Sequence, residues 1–255
     1  MIKRSLIFIL GIMLFCGITP EMSAQDNDYV MFETIVLTPD YKNLKTLSEN
    51  MRNHNKKYHS EGVYNATVFN IASGPNSGKI IWHMGPIMFA HLDARPSDDG
   101  HGEDWTQNVL PYVTKIENGE YWREDDKLSN VNIEGFSVAT HPILYVRYHE
   151  VEKGRGYSIN GLFTQISNTV KAMPGDNPWG IYYNEFRQGD LGRHIATVGF
   201  MKNWAEMDSD QDFKATFLKV NGENSWQDFI DGMAATFSNS WDEIWTYDPK
   251  LSGDD

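Results

Sequence analysis

The sequence of 255 residues contains one cysteine, Cys16, and few basic side chains. A single cysteine excludes an intramolecular disulfide and a zinc site built from several thiolates. Lysine and arginine total 22 against 35 acidic residues, so the formal net charge is −13. Because so negative a surface repels phosphate backbones, we predict that the protein binds no nucleic acid.

The sequence also lacks the common catalytic and phosphate-binding motifs. It has no Gly-rich phosphate loop, no His-Glu-x-x-His and no Gly-x-Ser-x-Gly. An acidic loop at positions 93–104 offers oxygen ligands, but its spacing does not match that of a calcium-binding loop. A second acidic stretch at 208–212 is explained as simply by solvation. We therefore predict no metal site.

The N-terminus has the order of a secretory signal peptide, at residues 1–24. Lys3 and Arg4 precede an apolar run at positions 6–15, which is too short for a typical transmembrane helix. Small residues at 23 and 24 place the cleavage site after Ala24. Lipidation of Cys16 is the alternative, although the residues before it are larger than a lipobox prefers. No second apolar segment of spanning length follows, so we predict a soluble periplasmic or secreted protein.

The sequence repeats itself. Residues 120–129 and 243–252 share Glu, Trp, Asp, Lys, Leu and Ser at one constant offset, and Trp105 and Trp226 each begin a helical pattern upstream. Several matches in the same order indicate an internal duplication. We place the first repeat at 29–129, a linker at 130–139 and the second repeat at 140–252.

Hydrophobic periodicity predicts the order β-α-β-β-α-β in each half. In the first half we expect strands at 29–37, 63–71 and 120–124, and one within 79–92. We also expect a helix around Leu44 to Met51, and a helix from Trp105 to Ile116 that ends at Asn118-Gly119. In the second half we expect strands at 143–151, 181–187, 194–201 and 241–247, and helices at 159–173 and 226–237. An additional short helix is predicted within 208–224.

Two such units in tandem resemble the dimeric α/β-barrel superfamily of ferredoxin-like proteins, here fused into one chain. The resemblance covers nearly all of the mature chain and rests on the element order and the duplicated tail. It implies an α+β fold in which helices cover one face of each sheet and the other faces form a barrel. A barrel closed within one chain implies a monomer.

The superfamily contains cofactor-independent monooxygenases, haem-handling enzymes and isomerases, so the resemblance implies no single reaction. Several haem-handling members carry a proximal histidine on a helix. His54 and His59 fall near the end of the first helix, not at the centre of an apolar face. We therefore predict no cofactor.

Strand alternation places Tyr145, Arg147 and His149 on one face of the strand at 143–151. The opposite face is apolar and suited to helix packing, so we predict that the polar face looks into the barrel. Arginine can bind an anionic oxygen through two donors, and tyrosine and histidine can carry protons. We predict these three as catalytic residues. The alternative is a solvated sheet face or an internal ion pair of Arg147 with Glu185.

Residues from neighbouring strands complete the predicted site. His83 is the fourth catalytic candidate, and the ligand-binding candidates are Tyr182, Asn184, Trp82 and Trp204. Together they predict an extracytoplasmic protein that binds a small organic molecule, a sugar acid or another saccharide in a cleft. The sequence leaves open whether it is also a cofactor-independent enzyme. The alternative is a non-catalytic structural or interaction protein with a filled barrel.

Overall fold

The computed structural model describes residues 29–96, 100–188, 194–209 and 212–254. The predicted signal peptide lies outside these residues. The strands are β1 (Met31–Pro39), β2 (Ala66–Ser73), β3 (Ile80–Ile87), β4 (Val113–Glu124), β5 (Ile143–Val151), β6 (Trp179–Asn184), β7 (His194–Met201) and β8 (Phe237–Tyr247).

The α-helices are α1 (Leu44–Tyr58), α2 (Phe89–Asp93), α3 (His101–Asp104), α4 (Ile159–Ala172), α5 (Phe213–Asn221), α6 (Ser225–Thr236) and α7 (Pro249–Ser252). A π-helical turn at Trp105–Val109 and a 3₁₀ turn at Leu110–Tyr112 continue α3 to the start of β4. None of the helices in the described ranges combines the length and the apolar character needed to cross a membrane.

The eight strands form one closed antiparallel barrel in the order β1-β3-β2-β8-β5-β7-β6-β4. The neighbours β4-β1-β3-β2 and β8-β5-β7-β6 each have the strand order of a ferredoxin-like sheet. The pairs β4–β6 and β2–β8 join the two groups and leave no open edge. The predicted α+β barrel architecture is confirmed, and it is consistent with a ferredoxin-like pseudo-dimer.

The barrel interior is filled mainly by large side chains. The buried residues that pack there include Val36, Phe69, Ile71, Ile81, Trp122, Leu144, Val146, Val198 and Trp245. A cavity of about 190 Å³ remains among them. Two further cores lie outside the barrel, where α1 covers the first group of strands and α4, α5 and α6 cover the second.

The two segments with matching sequence make matching contacts. Ser129 Oγ accepts a hydrogen bond from the backbone N–H of Ile181 on β6, at 3.1 Å. Ser252 Oγ accepts one from Val68 on β2, at 2.8 Å. Each segment therefore fastens the end of one group of strands to the other group, and both serines are buried.

The predicted second helix of the first half is wrong in its extent. Helical structure ends at Tyr112, and β4 begins at Val113 and pairs with β1 almost to its end. Asn118 and Gly119, expected to stop the helix, lie opposite β1 within this strand. Unpaired backbone groups along β1 and the β-branched residues at 113, 114 and 116 favour strand over helix. The additional helix within 208–224 is confirmed as α5.

Candidate functional site

The polar face of β5 looks toward the helices, so its predicted orientation is wrong. Tyr145, Arg147 and His149 line a cavity between the sheet and helices α4 to α6. Leu144 and Val146 instead pack inside the barrel. The barrel interior is enclosed on all sides by strands and accommodates the apolar face better, because a buried guanidinium loses its hydration.

The cavity has a volume of about 1240 Å³. On its sheet wall, β5 contributes polar side chains and β7 contributes small residues. Thr197 pairs with Arg147, and Gly199 pairs with Tyr145. Its helix wall is apolar and largely aromatic, with contributions from Phe163, Ile166, Val170, Phe213, Trp226, Phe229 and Met233. A cavity of this size and lining is suited to a small organic ligand.

Arg147, Tyr145 and Asp242 form one hydrogen-bonded network on the sheet wall. Arg147 Nε donates to Asp242 Oδ1 at 2.7 Å, and Nη2 donates to Asp242 Oδ2 at 2.8 Å. Tyr145 Oη donates to Asp242 Oδ2 at 2.7 Å and accepts from Arg147 Nη2 at 2.6 Å. Among the residues that the structure describes, Arg147 Nη1 has no hydrogen-bond partner. This nitrogen is therefore available to a ligand.

The network determines which groups are charged. Hydrogen bonds from Arg147 lower the pKa of Asp242, and those to Asp242 raise the pKa of Arg147. Burial and the hydrogen bond to Asp242 raise the pKa of Tyr145 to about 12. At neutral pH the network is therefore an ion pair with a neutral phenol.

His149 lies beside this network as a neutral imidazole. Burial lowers its pKa to about 4, with a further contribution from the charge on Arg147. Its Nδ1 is 2.9 Å from Ser240 Oγ, and its ring packs between Phe163 and Phe237. The Ser240 contact leaves Nε2 as the nitrogen that can accept or carry a proton.

His83 and Tyr182 do not join this cavity. Both line the smaller cavity inside the barrel. His83 Nδ1 is 2.8 Å from Thr34 Oγ1, and its ring stacks on Phe32. Burial lowers the pKa of His83 to about 4. The alternation of β3 and β6 places these side chains on the opposite face of the sheet from His149.

The remaining predicted ligand-binding residues are separate from the cavity as well. Trp82 is packed in the first-half core, where its Nε1 donates to Asn55 Oδ1 at 3.0 Å. Asn184 is buried and its Oδ1 accepts from the backbone N–H of His194 at 3.2 Å. Trp204 is 52% exposed. These three side chains therefore do not converge with Arg147.

Sequence reasoning missed the partner of Arg147 and the small residues opposite it. Glu185, the partner that the structural alternative gave to Arg147, forms an ion pair with Arg123 instead. Asp242 lies directly opposite Arg147 in the β5–β8 register. Alternation along β8 could have indicated it, because Asp242 and Glu243 must point to opposite faces. The pairing of β5 with β8, however, has no local signal in the sequence.

The superfamily that the sequence resembles includes haem-handling enzymes. The helices that cover the cavity, α4, α5 and α6, contain no histidine and no cysteine. His149 is held on a strand and is only 3% exposed. The cavity therefore supplies no helix-borne axial ligand, and its residues do not fit a haem held in that way.

No protein-family model matches the sequence, and no curated protein matches it either. Solved structures do match. An anthrone oxidase-like protein superposes with a TM-score of 0.56 at 13% identity, over 87% of this chain and 92% of that chain. A candidate monooxygenase from Fusobacterium nucleatum subsp. nucleatum gives 0.52 at 8% identity, over 87% and 93%.

A mutant chlorite dismutase from Candidatus Nitrospira defluvii, in complex with cyanide, gives a TM-score of 0.53 at 7% identity, over 88% of this chain and 93% of that chain. These neighbours are ferredoxin-like dimeric α+β barrel proteins. At such identities the likeness establishes the fold alone.

Proposed function

We propose that the cavity between the second sheet group and helices α4 to α6 binds a flat, mainly apolar organic molecule with an acidic oxygen, such as a polycyclic phenol. The observation that carries this proposal is the combination in one cavity of an aromatic helix wall with the Arg147–Tyr145–Asp242 network. Both walls are formed by strands and helices whose side chains already line the cavity, which lowers the cost of ordering the site when it binds.

The apolar wall supports the choice of a flat ring system. Phe163, Phe213, Trp226 and Phe229 present aromatic surface on one side of the cavity. Aromatic side chains gain both buried area and favourable ring geometry from a planar aromatic ligand. One structural neighbour is named an anthrone oxidase-like protein, and anthrone is a flat tricyclic molecule. This name supports the choice of a polycyclic ligand by analogy alone.

The polar wall supports an acidic oxygen. Arg147 Nη1 can donate to a phenolate or carboxylate, and this donor is charged at neutral pH. An acidic oxygen that ionises on binding releases its proton to solvent, because burial and the charge on Arg147 lower the pKa of His149 to about 4 and disfavour an imidazolium there. Neutral His149 can instead accept a hydrogen bond at Nε2 from a second hydroxyl of the ligand. A sugar acid would use the same donor but would leave the aromatic wall without a partner.

Titration with a dihydroxyanthraquinone, followed by its absorbance, tests the proposal. We expect saturable binding of one molecule per chain and a red shift that reports the phenolate. Unsubstituted anthraquinone should bind more weakly, because it has no acidic oxygen. Glucuronate serves as the sugar-acid probe. Tight binding of glucuronate with none of the anthraquinone would contradict the proposal.

The alternative function was that of a structural protein with a filled barrel. One observation supports a structural role for the barrel interior. The interior cavity is only about 190 Å³ and is lined by large aromatic residues. We propose that this interior is structural and that ligand binding is confined to the outer cavity. A ligand that protects His83, and not His149, from chemical modification would reverse this assignment.

We also propose that residues 29–129 and 140–252 are two copies of one ferredoxin-like unit, joined by 130–139, and that the protein is a monomer. The identical strand order and the paired contacts of Ser129 and Ser252 support a duplication. The two parts, expressed as separate chains, should co-purify through the β4–β6 and β2–β8 ladders. Light scattering of the whole chain should give one protomer. Independent folding of the parts without association would argue against the duplicated barrel.

Secretion is proposed from the N-terminal sequence. We expect the mature chain to be extracytoplasmic, to begin after Ala24 and to contain no cysteine. N-terminal sequencing and intact mass of the envelope fraction test this. A mature chain that begins with lipidated Cys16 would instead place the protein on a membrane surface.

A further inference from the structure

Three histidines converge on the outer side of the first group of strands, far along the chain from the cavity residues. His54 lies on α1, His59 directly follows α1, and His101 begins α3. One ring nitrogen from each lies within 4.8 Å of the others. His54 and His59 are buried, at 1% and 4% exposed, and His101 is half-buried. Chain segments 42 residues apart therefore bring three metal-binding side chains together.

Neighbouring groups orient two of the rings. His59 Nδ1 donates to the backbone carbonyl of Tyr64 at 2.8 Å, so its Nε2 carries the lone pair. His54 Nδ1 is 2.7 Å from Asp104 Oδ2, and a proton on Nδ1 leaves the lone pair on Nε2. A carbonyl or carboxylate behind the non-ligating nitrogen is the usual support of a metal-binding histidine. These contacts orient the rings of His54 and His59 as they would be oriented in a metal site, which the packing of histidine rings does not require.

The backbone around the site is fixed as well. The N–H of His59 donates to Asn55 at 2.8 Å, and its carbonyl accepts from Ala66 of β2 at 3.0 Å. On the other side, Gly100 has φ of 84°, which lets the chain turn into α3 and present His101 and Asp104 together. Both sides of the cluster are therefore anchored to the fold.

We propose that His54, His59 and His101 bind a divalent transition-metal ion of the zinc type, with water as the fourth ligand. Three imidazoles and one oxygen satisfy the tetrahedral preference of Zn²⁺. Calcium and magnesium take hard oxygen ligands, so three imidazole nitrogens do not suit them. Each ligating nitrogen must offer its lone pair to the metal, and the contacts behind His54 and His59 leave that lone pair on Nε2.

The change needed to accept the ion is small. His59 Nε2 and His101 Nε2 are 2.9 Å apart, and His101 supplies the proton between them. Two nitrogens on a tetrahedral zinc lie roughly 3.3 Å apart. Moving the His101 proton from Nε2 to Nδ1 and separating the rings by about half an ångström makes room for the metal, with no change in the protonation of the chain.

The ion would connect α1 to α3 and thereby strengthen the attachment of the helical turns before β4. α3 has only four residues, too few for a helix to be stable by itself. Coordination of His101 would add to the contact that Asp104 already makes with His54. This metal site is independent of the second-half cavity and of the function proposed for it.

Calorimetric titration of the whole chain, first stripped with a chelator, tests the proposal. Zn²⁺ should bind at one equivalent per chain and raise the melting temperature, and Co²⁺ should give the visible absorption of a tetrahedral complex. His101→Asn and His59→Gln should each weaken Zn²⁺ binding at least a hundredfold. Asp104→Asn, which keeps all three ligands, should weaken it about ten- to a hundredfold by removing the support of His54.

His141→Asn is the matched control, because it removes a histidine that is buried elsewhere. It should leave Zn²⁺ affinity and stoichiometry unchanged. His101 is the most exposed of the three, so its variant should retain the wild-type circular dichroism and decides the matter if the His59 variant is unfolded. Absence of Zn²⁺ binding, or wild-type binding by a folded His101→Asn protein, overturns the proposal.

Discussion

The layer between sheet and helices is built differently in the two halves of the molecule. In the first half, β3 presents Trp82 and Met84 to α1, where they pack with Leu47 and Met51. In the second half, β7 presents Thr197 and Gly199, and a cavity of about 1240 Å³ remains below the helices. Both strands hold the same place in their group, so the size of the side chains decides whether this layer is closed or open.

The neighbouring strands show the same contrast in polarity. β1 contributes Met31 and Leu37 to the first-half core. On β5 the helix-facing positions carry Tyr145, Arg147 and His149. One topology therefore supports a packed apolar layer on one side and an open layer with a polar sheet wall on the other. The fold by itself does not determine where a ligand site forms.

A cavity made in the packed layer of the first half should have the largest effect on stability. Trp82→Ala removes a buried ring and leaves Asn55 Oδ1 without the indole donor. We expect the free energy of unfolding to fall by about 3–5 kcal/mol, measured by urea denaturation. Trp204→Ala removes an exposed ring and should cost less than about 0.5 kcal/mol. Equal effects of the two substitutions would show that the first-half layer is not closed.

The stability of the protein should depend on pH through His149, the buried histidine of the open layer. The folded pKa of His149, about 4, lies below its unfolded value of 6.5, so the unfolded chain binds the proton more readily. Its contribution to stability is present above pH 6.5 and is lost as the pH falls toward 4. We expect urea denaturation to show a loss of up to about 3 kcal/mol from this group. His149→Gln should flatten the curve. Parallel curves for variant and wild type would contradict the assignment.

Filling the open layer should remove binding without loss of stability. A side chain at Gly199 would extend into open space, and its backbone conformation is ordinary for a strand. Gly199→Leu should weaken binding of the dihydroxyanthraquinone at least tenfold while the melting temperature changes little. Gly161→Leu adds the same side chain on the exposed side of α4 and should leave the affinity unchanged. Full binding by Gly199→Leu would exclude this cavity.

Removing the charge from the open layer should have the smallest effect on the fold. The side chains of Arg147 and Asp242 are 45% and 41% exposed, so their ion pair contributes at most about 1 kcal/mol. Arg147→Ala should weaken binding of the anionic ligand about tenfold with an almost unchanged melting temperature. Arg187→Ala, at an exposed position outside the cavity, is the control. A collapse of the melting temperature would mark the ion pair as structural.

Much of the fold could be predicted from local patterns. The apolar stripe of α4, the extra helix α5 and the alternation along β5 are each determined by neighbours within a few residues. The end of helical structure at Tyr112 could not be predicted in this way. That boundary depends on β1, whose backbone groups need a partner over the whole length of β4.

The sequence anticipated only part of the lining of the candidate cavity. The sequence placed Tyr145, Arg147 and His149 on one face of one strand, and the structure places all three along one cavity. Histidines 54 and 59 fall near the end of a predicted helix, and His101 falls in the acidic stretch at positions 93–104. No local pattern relates positions so distant in the chain, so their meeting was not predicted.

The sequence by itself determined the periodicity of strands and helices and the matching of the two tail segments, because these depend on local sterics and on the alternation of polar and apolar residues. The tertiary structure alone decided which face of β5 meets the helices and which side chains stand opposite Arg147 and His59. Those outcomes depend on the closure of the barrel, where burial of one face on all sides is more favourable for Leu144 and Val146 than for a charged guanidinium.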